Sequence, residues 1–170
     1  MARRAQTARD WEFWARADPY YAVLAEPDKV GGGWQGKHDE FFASGAREVQ
    51  ALLGEARQLG FPRGWAAALD FGCGLGRVTQ ALSPHFGHVV GVDISAAMVR
   101  QAKELHKDLG NVEFAHIRRV SDLSGRPPFD LIWCVLVLQH LEGRREVAHE
   151  LAGLFGLLAP GGLLVVEIPS

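Results

Sequence analysis

The sequence has very little cysteine and no long hydrophobic run. Among its 170 residues there are two cysteines, Cys73 and Cys134, too few for a disulfide framework and without metal-ligand spacing. Its seven histidines show no metal-ligand pattern either. The longest apolar run, residues 131–138, is far shorter than the roughly 20 residues that a membrane span needs. We therefore expect reduced thiols, a cytoplasmic location, no metal site and no membrane span.

An excess of charge of one sign is also lacking. The net charge is −2, which argues against a partner that is a nucleic acid or a membrane surface. The first ten residues, MARRAQTARD, are basic but lack the apolar segment of a signal peptide. They are consistent with a frayed terminus or with a transit peptide. The hydrophobic share of 48% is typical of one globular domain.

The first 65 residues contain no convincing strand. Asp10 is placed to cap a short helix that ends near Asp18 and Pro19. After a glycine-rich loop, VGGGWQGKHDE, a second amphipathic segment ends at Gly60 and Pro62. We predict an N-terminal helical segment over residues 1–65, which precedes a core over residues 66–170 within a single domain.

Residues 66–170 alternate apolar runs with helical patterns. One helix follows Ser95 as its N-cap and stops at Gly110, with Met98, Ala102, Leu105 and Leu109 on one face. A later helix has Val147, Leu151, Leu154, Phe155 and Leu158 on one face, and Pro160, Gly161 and Gly162 form a turn after it. Strands are predicted near 66–71, 88–94, 112–117, 129–137 and 162–168. Unalternated apolar strands between helices predict a doubly wound parallel α/β sheet with helices on both faces.

The stretch AALDFGCGLGRVTQAL, residues 67–82, joins the first of these strands to a helix. An acid, Asp70, is followed by glycines at every second position: Gly72, Gly74 and Gly76. Glycine permits positive φ and close approach of a ligand to the backbone, and a strand-to-helix turn offers N–H groups to anionic groups. The alternative is a tight turn with close strand–helix packing. We predict a ligand at this edge of the sheet.

A second acid, Asp93, ends the strand in HVVGVDIS. An acid there is placed to accept hydrogen bonds from ribose hydroxyls; the alternative is a helix cap, although Ser95 can serve as that cap. The pattern indicates a nucleoside-containing ligand. The dinucleotide fingerprint is G-x-G-x-x-G, whereas here the spacing is G-x-G-x-G and Arg77 stands where the third glycine belongs. This disfavours NAD and FAD.

Four motifs in order resemble the class I S-adenosylmethionine (SAM)-dependent methyltransferases. They are LDFGCGLGR, VVGVDIS, FDLIWCVLVLQHL and LAPGGLLVVEIP, within residues 66–169. The resemblance implies a Rossmann-like sheet of strand order 3-2-1-4-5, SAM as cofactor and S-adenosylhomocysteine (SAH) as product. It also implies methyl transfer to an acceptor that is a small molecule or a protein.

The resemblance assigns roles to the residues of these motifs. Asp93 would bind the ribose, and Arg77 would pair with the carboxylate of SAM. Ile94 and Met98 would pack on adenine, with plain core packing as the alternative, and residues 135–138 would run near the methionyl end. The residues implied to bind the cofactor are Asp70, Gly72, Gly74, Gly76, Arg77, Asp93, Ile94, Met98, Asp122 and Val135.

The loop after the third strand departs from the family pattern. Members of the family commonly place an acid or a polar residue there, near the adenine amino group. This loop is HIRRVSDLSG, with Arg118 and Arg119 in the aligned place and Asp122 several residues later. We assign the adenine contact to Asp122, with backbone of Val120 and Ser121 as the alternative.

The acceptor side is predicted from position and chemistry. Methyl transfer needs alignment and exclusion of water, and a base only where the acceptor atom must lose a proton. His140, just past the fourth strand, is the candidate base, with a structural histidine as the alternative; Gln139 and Glu142 are further candidates.

The aromatic segments WEFW, DPYY and FF suit a lid over the cofactor, or else pack on the sheet. Tyr20 and Tyr21 are the candidate acceptor contacts in these segments.

Members of the family usually continue past the fifth strand with a helix and an antiparallel hairpin, and this hairpin is absent here. A natural short form, a truncated chain or a completing partner would explain this, and the exposed fifth strand invites association.

Three hypotheses follow. The first is a SAM-dependent methyltransferase, the second a nucleoside-binding interaction module without turnover, and the third, disfavoured by Arg77, an NAD-dependent oxidoreductase.

Overall fold

Five parallel strands form one sheet in the order β3-β2-β1-β4-β5 in a computed structural model that describes residues 2–25, 29–141 and 143–167. This confirms the predicted doubly wound fold and its strand order. The elements are α1 (Ala2–Ala17), α2 (Pro19–Val23), α3 (His38–Gln58), β1 (Ala67–Phe71), α4 (Arg77–Leu82), β2 (His88–Asp93), α5 (Ala96–Leu105), β3 (Val112–His116), β4 (Phe129–Cys134), α6 (Gly143–Gly156) and β5 (Leu158–Val166).

Helices cover both faces of the sheet because successive residues of a strand point to opposite faces. Leu69 of β1 lies in one buried cluster with Ile132 of β4 and Leu154 of α6. Its neighbour Ala68 lies in another cluster, together with Leu53 of α3. The unalternated apolar strands therefore bury both their faces, as their sequences predict.

The strand register brings the ends of β1, β2 and β4 side by side. Phe71 pairs with Val92 of β2, and Asp70 pairs with Trp133 of β4. Because β1 lies between two parallel strands, whatever follows Phe71, Asp93 or Cys134 emerges at the same edge of the sheet.

Several predicted boundaries were wrong in the second half of the chain. β4 ends at Cys134, before residue 137, and α5 ends at Leu105, which leaves Leu105 45% exposed instead of buried. Phe155 is 71% exposed although the helical pattern placed it on the buried face. β5 begins at Leu158, so the predicted turn at Pro160 lies inside the strand, where a register shift in the β4–β5 pairing accommodates it.

The start of the chain also differs from the prediction. α1 begins at Ala2 and runs through Asp10, so Asp10 is not a helix cap and the stretch is helical instead of frayed. The helix does end before Asp18, whose Oδ1 accepts a hydrogen bond from the N–H of Tyr21 and so caps α2. Pro19 follows as the first helical residue, where the missing N–H costs nothing.

Within residues 2–25, 29–141 and 143–167, no helix is long and apolar enough to cross a membrane. The same ranges contain no group of three or more His, Cys, Asp or Glu side chains that could hold a metal ion.

Candidate functional site

A cavity of about 520 Å³ lies at the carboxyl edge of the sheet, where the sequence predicts a ligand. Its walls come from the loop after β1, the ends of β2 and β4, the segment after β3, and the N-terminal helices α1 and α2. The site is therefore assembled from segments that are far apart in sequence and converge at the point where β1 meets β4.

The loop after β1 places all three glycines at positive φ: 84° for Gly72, 52° for Gly74 and 81° for Gly76. A Cβ on Gly72 would overlap Val137, and one on Gly74 would overlap Val23 of α2. Gly72 and Gly74 line the cavity, whereas Gly76 faces away from it, and a Cβ there would lie 2.8 Å from the ring of His106. The implied role of Gly76 in lining the cofactor therefore has no support from its position.

The N–H groups of Gly72, Cys73 and Gly74 are already used within the protein, so these three are not free to bind an anion. Gly72 and Cys73 donate to the carbonyl of Val92, at 2.8 and 2.9 Å. Gly74 donates to Oδ2 of Asp93 at 2.9 Å. The glycines are needed for backbone shape and close packing, and the loop is held against β2 by its own hydrogen bonds.

Asp93 lines the cavity and joins this loop to the start of α5. Its Oδ2 accepts from Gly74, and its Oδ1 accepts from the N–H of Ser95 at 2.7 Å. Ser95 itself caps α5 by accepting from the N–H of Met98, so Asp93 is not the helix cap. Burial raises the pKa of Asp93, and the N–H donors of Ser95 and Gly74 oppose this rise. A carboxylate that accepts two hydrogen bonds still has lone pairs for ligand hydroxyls.

Asp70 also reaches the cavity but is almost fully buried, with 3% of its surface exposed. Its Oδ2 accepts a hydrogen bond from the Thr79 hydroxyl at 2.6 Å. Burial raises the pKa of Asp70 to about 6, although the Thr79 hydrogen bond and the charge of Arg77 lower it. The carboxyl group is therefore poised to take or release a proton near neutral pH.

Arg77 lines the cavity from the start of α4 and is held by α3. Its Nη2 lies 2.7 Å from Oε2 of Glu48, and its Nη1 donates to the Ser44 hydroxyl at 3.2 Å. Its Nε is buried and, among the described residues, has no hydrogen-bond partner. A buried donor without a partner is costly, so this nitrogen is the part of the guanidinium that the protein leaves unsatisfied.

Ile94, Met98 and Val135 all border the cavity. Met98 is only 1% exposed and packs in a core cluster with Phe41 and Leu75, which was the alternative interpretation of this residue.

Asp122 does not line the cavity: its Oδ2 accepts from the N–H groups of Arg118 and Arg119, at 2.8 and 3.3 Å, and so closes its own turn. The cavity wall at this place is formed by Arg118 and Arg119 instead. The geometry therefore gives no support to an adenine contact by Asp122.

The segment after β4 brings Gln139 and His140 to the cavity. Leu136 has a φ of 61°, a strained value for a branched residue, and its backbone accepts a hydrogen bond from His140. The ring of His140 packs edge-on against Trp11 of α1, with centroids 4.9 Å apart. Burial lowers the pKa of His140 despite the Leu136 hydrogen bond, so the ring is neutral at neutral pH. Glu142 lies outside the described residues.

The two tyrosines of the N-terminal segment, Tyr20 and Tyr21, lie in different environments. Tyr21 lines the cavity, whereas Tyr20 stacks on His38 with ring centroids 4.3 Å apart and contacts the edge of Phe41. Tyr20 therefore belongs to the packing between α2 and α3, which was the alternative interpretation of the aromatic segments.

A family model described as "Methyltransferase domain" matches residues 69–164 of this chain, which is more than half of it. The chain belongs to the methyltransferase-domain family. This confirms the resemblance that the four motifs indicate.

Curated relatives of this methyltransferase domain are longer than the chain. It is 37% identical over 127 residues to a trans-aconitate 2-methyltransferase of Deinococcus radiodurans, which covers 74% of this chain and 43% of the relative. It is 31% identical over 108 residues to a ubiquinone biosynthesis O-methyltransferase of Xylella fastidiosa, which covers 62% of this chain and 43% of that protein. The chain thus spans less than half the length of these relatives.

Solved structures show the same fold. An amino pentose methyltransferase from Micromonospora echinaspora, solved with SAM bound, is 27% identical with a TM-score of 0.60 over 74% of this chain and 50% of that one. The N-methyltransferase NodS from Bradyrhizobium japonicum, solved with SAH, is 22% identical with a TM-score of 0.68 over 94% of this chain and 71% of that one. The likeness to NodS concerns the fold alone.

Four residues that line the cavity lie on helices for which the sequence predicted no individual site residue, although its segment WEFW was proposed as a lid. Three lie on α1 and one on α6: Thr7, Trp11, Trp14 and Glu146. The two tryptophans are three residues apart, so they share a helical face, and the aromatic content of this segment was the one available signal. No local pattern marks Thr7 or Glu146.

Neither cysteine of the methyltransferase domain is suited to nucleophilic chemistry. Both are buried free thiols. Burial raises the pKa of Cys134 to about 12, with the charges of Asp70 and Glu150 adding to the effect. Burial also raises the pKa of Cys73 well above its ordinary value. Both thiols therefore stay protonated at neutral pH.

Proposed function

We propose that this methyltransferase domain binds SAM in the cavity and transfers its methyl group to a small-molecule acceptor, releasing SAH. The observation that carries the proposal is the arrangement at Asp93. This one carboxylate holds the glycine loop through Gly74 and the start of α5 through Ser95, and it faces the cavity between them.

The cavity fits the parts of SAM. Its volume of about 520 Å³ lies within the range of small-molecule sites. Asp93 would accept from the ribose hydroxyls, and Ile94 and Met98 offer apolar surface for adenine beside it. Gly72, Gly74 and Val135 lie further along the cavity toward β4, where the methionyl part would run, with Asp70 beneath it.

Arg77 would bind the carboxylate of SAM. Its two η nitrogens face Glu48 and Ser44, which hold the guanidinium plane, and its Nε has no partner among the described residues. A ligand carboxylate at this side of the plane would satisfy that nitrogen with a charge-assisted hydrogen bond. The proposal therefore assigns Arg77 to the amino-acid end of SAM.

The protein supplies alignment, exclusion of water and a proton acceptor. When bound, SAM supplies a methyl group activated by its positive sulfur. The ring of His140 is neutral at neutral pH, so it can accept a proton from an acceptor atom that must lose one. Gln139 lies beside it, with its Nε2 3.3 Å from Nε2 of His140. Trp11, Trp14 and Tyr21 line the cavity with aromatic rings, which would reduce the access of water to a bound ligand.

A small-molecule acceptor is supported by the size and partial enclosure of the cavity. The relatives named above include enzymes for trans-aconitate and for an amino pentose, both small molecules. A protein acceptor remains the alternative outcome of an acceptor panel. The proposal also includes a cytoplasmic location, supported by the two free thiols. It further includes a boundary between the N-terminal helical segment, residues 1–65, and the core, residues 66–170.

An interaction module without turnover is the second hypothesis. β5 lies at the edge of the sheet and, among the described strands, pairs only with β4. Association through this edge stays a prediction, and it is compatible with either hypothesis. An NAD-dependent oxidoreductase is disfavoured by the glycine spacing and by Arg77.

Isothermal titration calorimetry with SAH, SAM and NAD tests the cofactor. We expect SAH and SAM to bind and NAD not to bind, and we expect Asp93→Ala to weaken SAH at least about tenfold, since it removes a charged hydrogen-bond acceptor. Asp108→Ala is the matched control, because this exposed acid lies outside the cavity, and its Kd for SAH should be unchanged. Equal affinity for SAH in the wild type and in Asp93→Ala would overturn the assignment.

Turnover is tested separately with labelled SAM and a panel of small acids, amines, phenols and proteins. Methyl transfer to a small molecule would support the enzyme. Tight SAH binding without transfer to any member of the panel would favour the interaction module.

A further inference from the structure

One carboxylate of α1 contacts the start of α5. Oε1 of Glu12 accepts a hydrogen bond from the N–H of Ala97 at 3.0 Å and one from the hydroxyl of Ser95 at 3.2 Å. Ala97 belongs to the first turn of α5, where backbone N–H groups have no partner within the helix. Glu12 therefore caps α5 from another element of the fold, at the end where a negative charge is stabilising.

The charge state of Glu12 agrees with this contact. Burial raises its pKa, but the N–H of Ala97, the hydroxyl of Ser95 and the N–H of Ala96 outweigh that effect and leave it lowered. Glu12 is thus a carboxylate at neutral pH, which makes these hydrogen bonds charge-assisted.

A second polar contact holds α1 to the same helix. Nε2 of Gln101 donates to the backbone carbonyl of Ala15 at 2.7 Å. Ala15 itself is buried, with 2% of its surface exposed. The end of α1 is therefore held on α5 by the charged carboxylate of Glu12 and by the neutral amide of Gln101, and the small side chain of Ala15 is buried in the same region.

Ser95 links Glu12 to the proposed cofactor site. Its N–H donates to Asp93, and its hydroxyl donates to Glu12. Helix α1, which Glu12 holds against α5, also carries Trp11 and Trp14 to the cavity. The ring of Trp11 contacts His140. A continuous chain of hydrogen bonds thus runs from Asp93 to the element that forms the opposite wall.

We propose that Glu12 is a positioning residue: by capping α5 from α1 it places Trp11 and Trp14 at the acceptor end of the cavity and couples the docking of α1 to ligand binding at Asp93. The coupling rests on the proposed function for the identity of the ligand, whereas the docking does not. Because coupling is reciprocal, bound SAH stabilises the docked α1, and docked α1 strengthens SAH binding.

Hydrogen exchange of the whole 170-residue chain, with and without SAH, tests both parts. Without SAH, Glu12→Ala is expected to speed exchange of the α1 amides and of the Ala97 amide about tenfold or more. With SAH, the α1 amides of the wild type should slow further, and those of Glu12→Ala should slow much less. The Kd for SAH should rise about three- to tenfold. Glu12→Gln keeps an oxygen acceptor for the Ala97 amide and should restore most of the protection.

Asp10→Ala is the matched control, because this exposed acid of α1 receives the amide of Gln6 within the same helix and not α5. It should leave the exchange of Ala97 and the Kd for SAH at the wild-type values. Unchanged α1 exchange in Glu12→Ala would overturn the docking role. Faster α1 exchange with an unchanged Kd and unchanged SAH protection would overturn the coupling. Failure of the wild type to bind SAH would overturn the proposed function, and the exchange without ligand would still test the docking.

Discussion

The glycine loop and the N-terminal helix α1 face the same cavity but are held in place differently. The loop is fixed by backbone hydrogen bonds to the neighbouring strand β2 and by glycines at which a Cβ would overlap a neighbour. Helix α1 is seated by side-chain contacts from Glu12 and Gln101, and Trp14 remains 39% exposed. The wall formed by the glycine loop is thus part of the core, whereas the wall formed by α1 depends on a small number of contacts.

This difference agrees with the proposed function. A rigid wall suits the proposed cofactor, whose shape does not change among members of a family. A wall on a separately seated helix can change its side chains without disturbing the sheet, which suits the proposed acceptor side.

We expect the largest effect on stability from a substitution that strains the glycine loop. Gly74→Ala places a Cβ at a φ of 52° and against Val23 of α2, so we expect a loss of about 3 to 4 kcal/mol in the free energy of unfolding, measured with urea. Val23→Ala should restore part of this loss, since it removes the overlap but not the backbone strain. Gly54→Ala, on α3 where no atom lies within 4 Å of the added Cβ, should instead stabilise by about 0.5 to 1 kcal/mol. If the double variant is no more stable than Gly74→Ala, then α2 does not cover the loop.

We expect the next largest effect at Asp70, the buried acid of β1 that precedes the glycine loop. The pKa of Asp70 is raised from 3.8 to about 6, so the folded state binds more protons than the unfolded state between these values. Its stabilising contribution is full below about pH 4 and is lost as the pH rises through about 6. Asp70→Asn should therefore raise the free energy of unfolding by about 2 to 3 kcal/mol at pH 8, and much less at pH 4.

Urea denaturation at both pH values measures this effect, and Asp108→Asn, an exposed acid after α5, is the control. An equal change at both pH values would contradict the raised pKa of Asp70.

Substitutions of the neighbouring residues Tyr20 and Tyr21 should have different effects on stability and on SAH binding, because only Tyr21 lines the cavity. Tyr20→Ala removes the stack on His38 and the contact with Phe41 and should cost about 2 kcal/mol of stability without changing the Kd for SAH. Tyr21→Ala removes a cavity-lining ring, so it should cost about half as much stability and weaken SAH several-fold. Urea denaturation and calorimetry separate the two effects. The opposite pattern would mean that Tyr20 forms the cavity wall.

The smallest expected effect is at His140. Its pKa lies below the ordinary value of about 6.5 because the ring is partly desolvated, and Trp11 covers one edge of the ring. Trp11→Ala should raise the pKa by a fraction of a unit, measured by proton NMR of the ring. Phe13→Ala, which removes an exposed ring of the same helix, is the control. A pKa of His140 that is the same in Trp11→Ala and the wild type would show that α1 does not cover this histidine.

The parts of the site that sequence predicted are those whose signal is local. Gly72, Gly74 and Asp93 lie at strand ends, in spaced patterns that are typical of nucleoside-binding sites, and all three face the cavity. Asp122 and Tyr20 were predicted from composition and approximate alignment. Their side chains are instead used by nearby backbone and rings, because a side chain in a loop takes the partner that its turn provides.

The sequence by itself determined the parallel sheet and the ligand edge of this methyltransferase domain, because strand periodicity, glycine spacing and terminal acids are properties of short segments. The strand order came from the resemblance of the four motifs to the methyltransferase family. Only the tertiary structure decided that α1 lies on α5, that Arg77 is held by Glu48, and that Trp11 contacts His140. These contacts join residues dozens to more than a hundred positions apart, and no short pattern encodes them. They form only after the sheet has brought its strand ends to one edge.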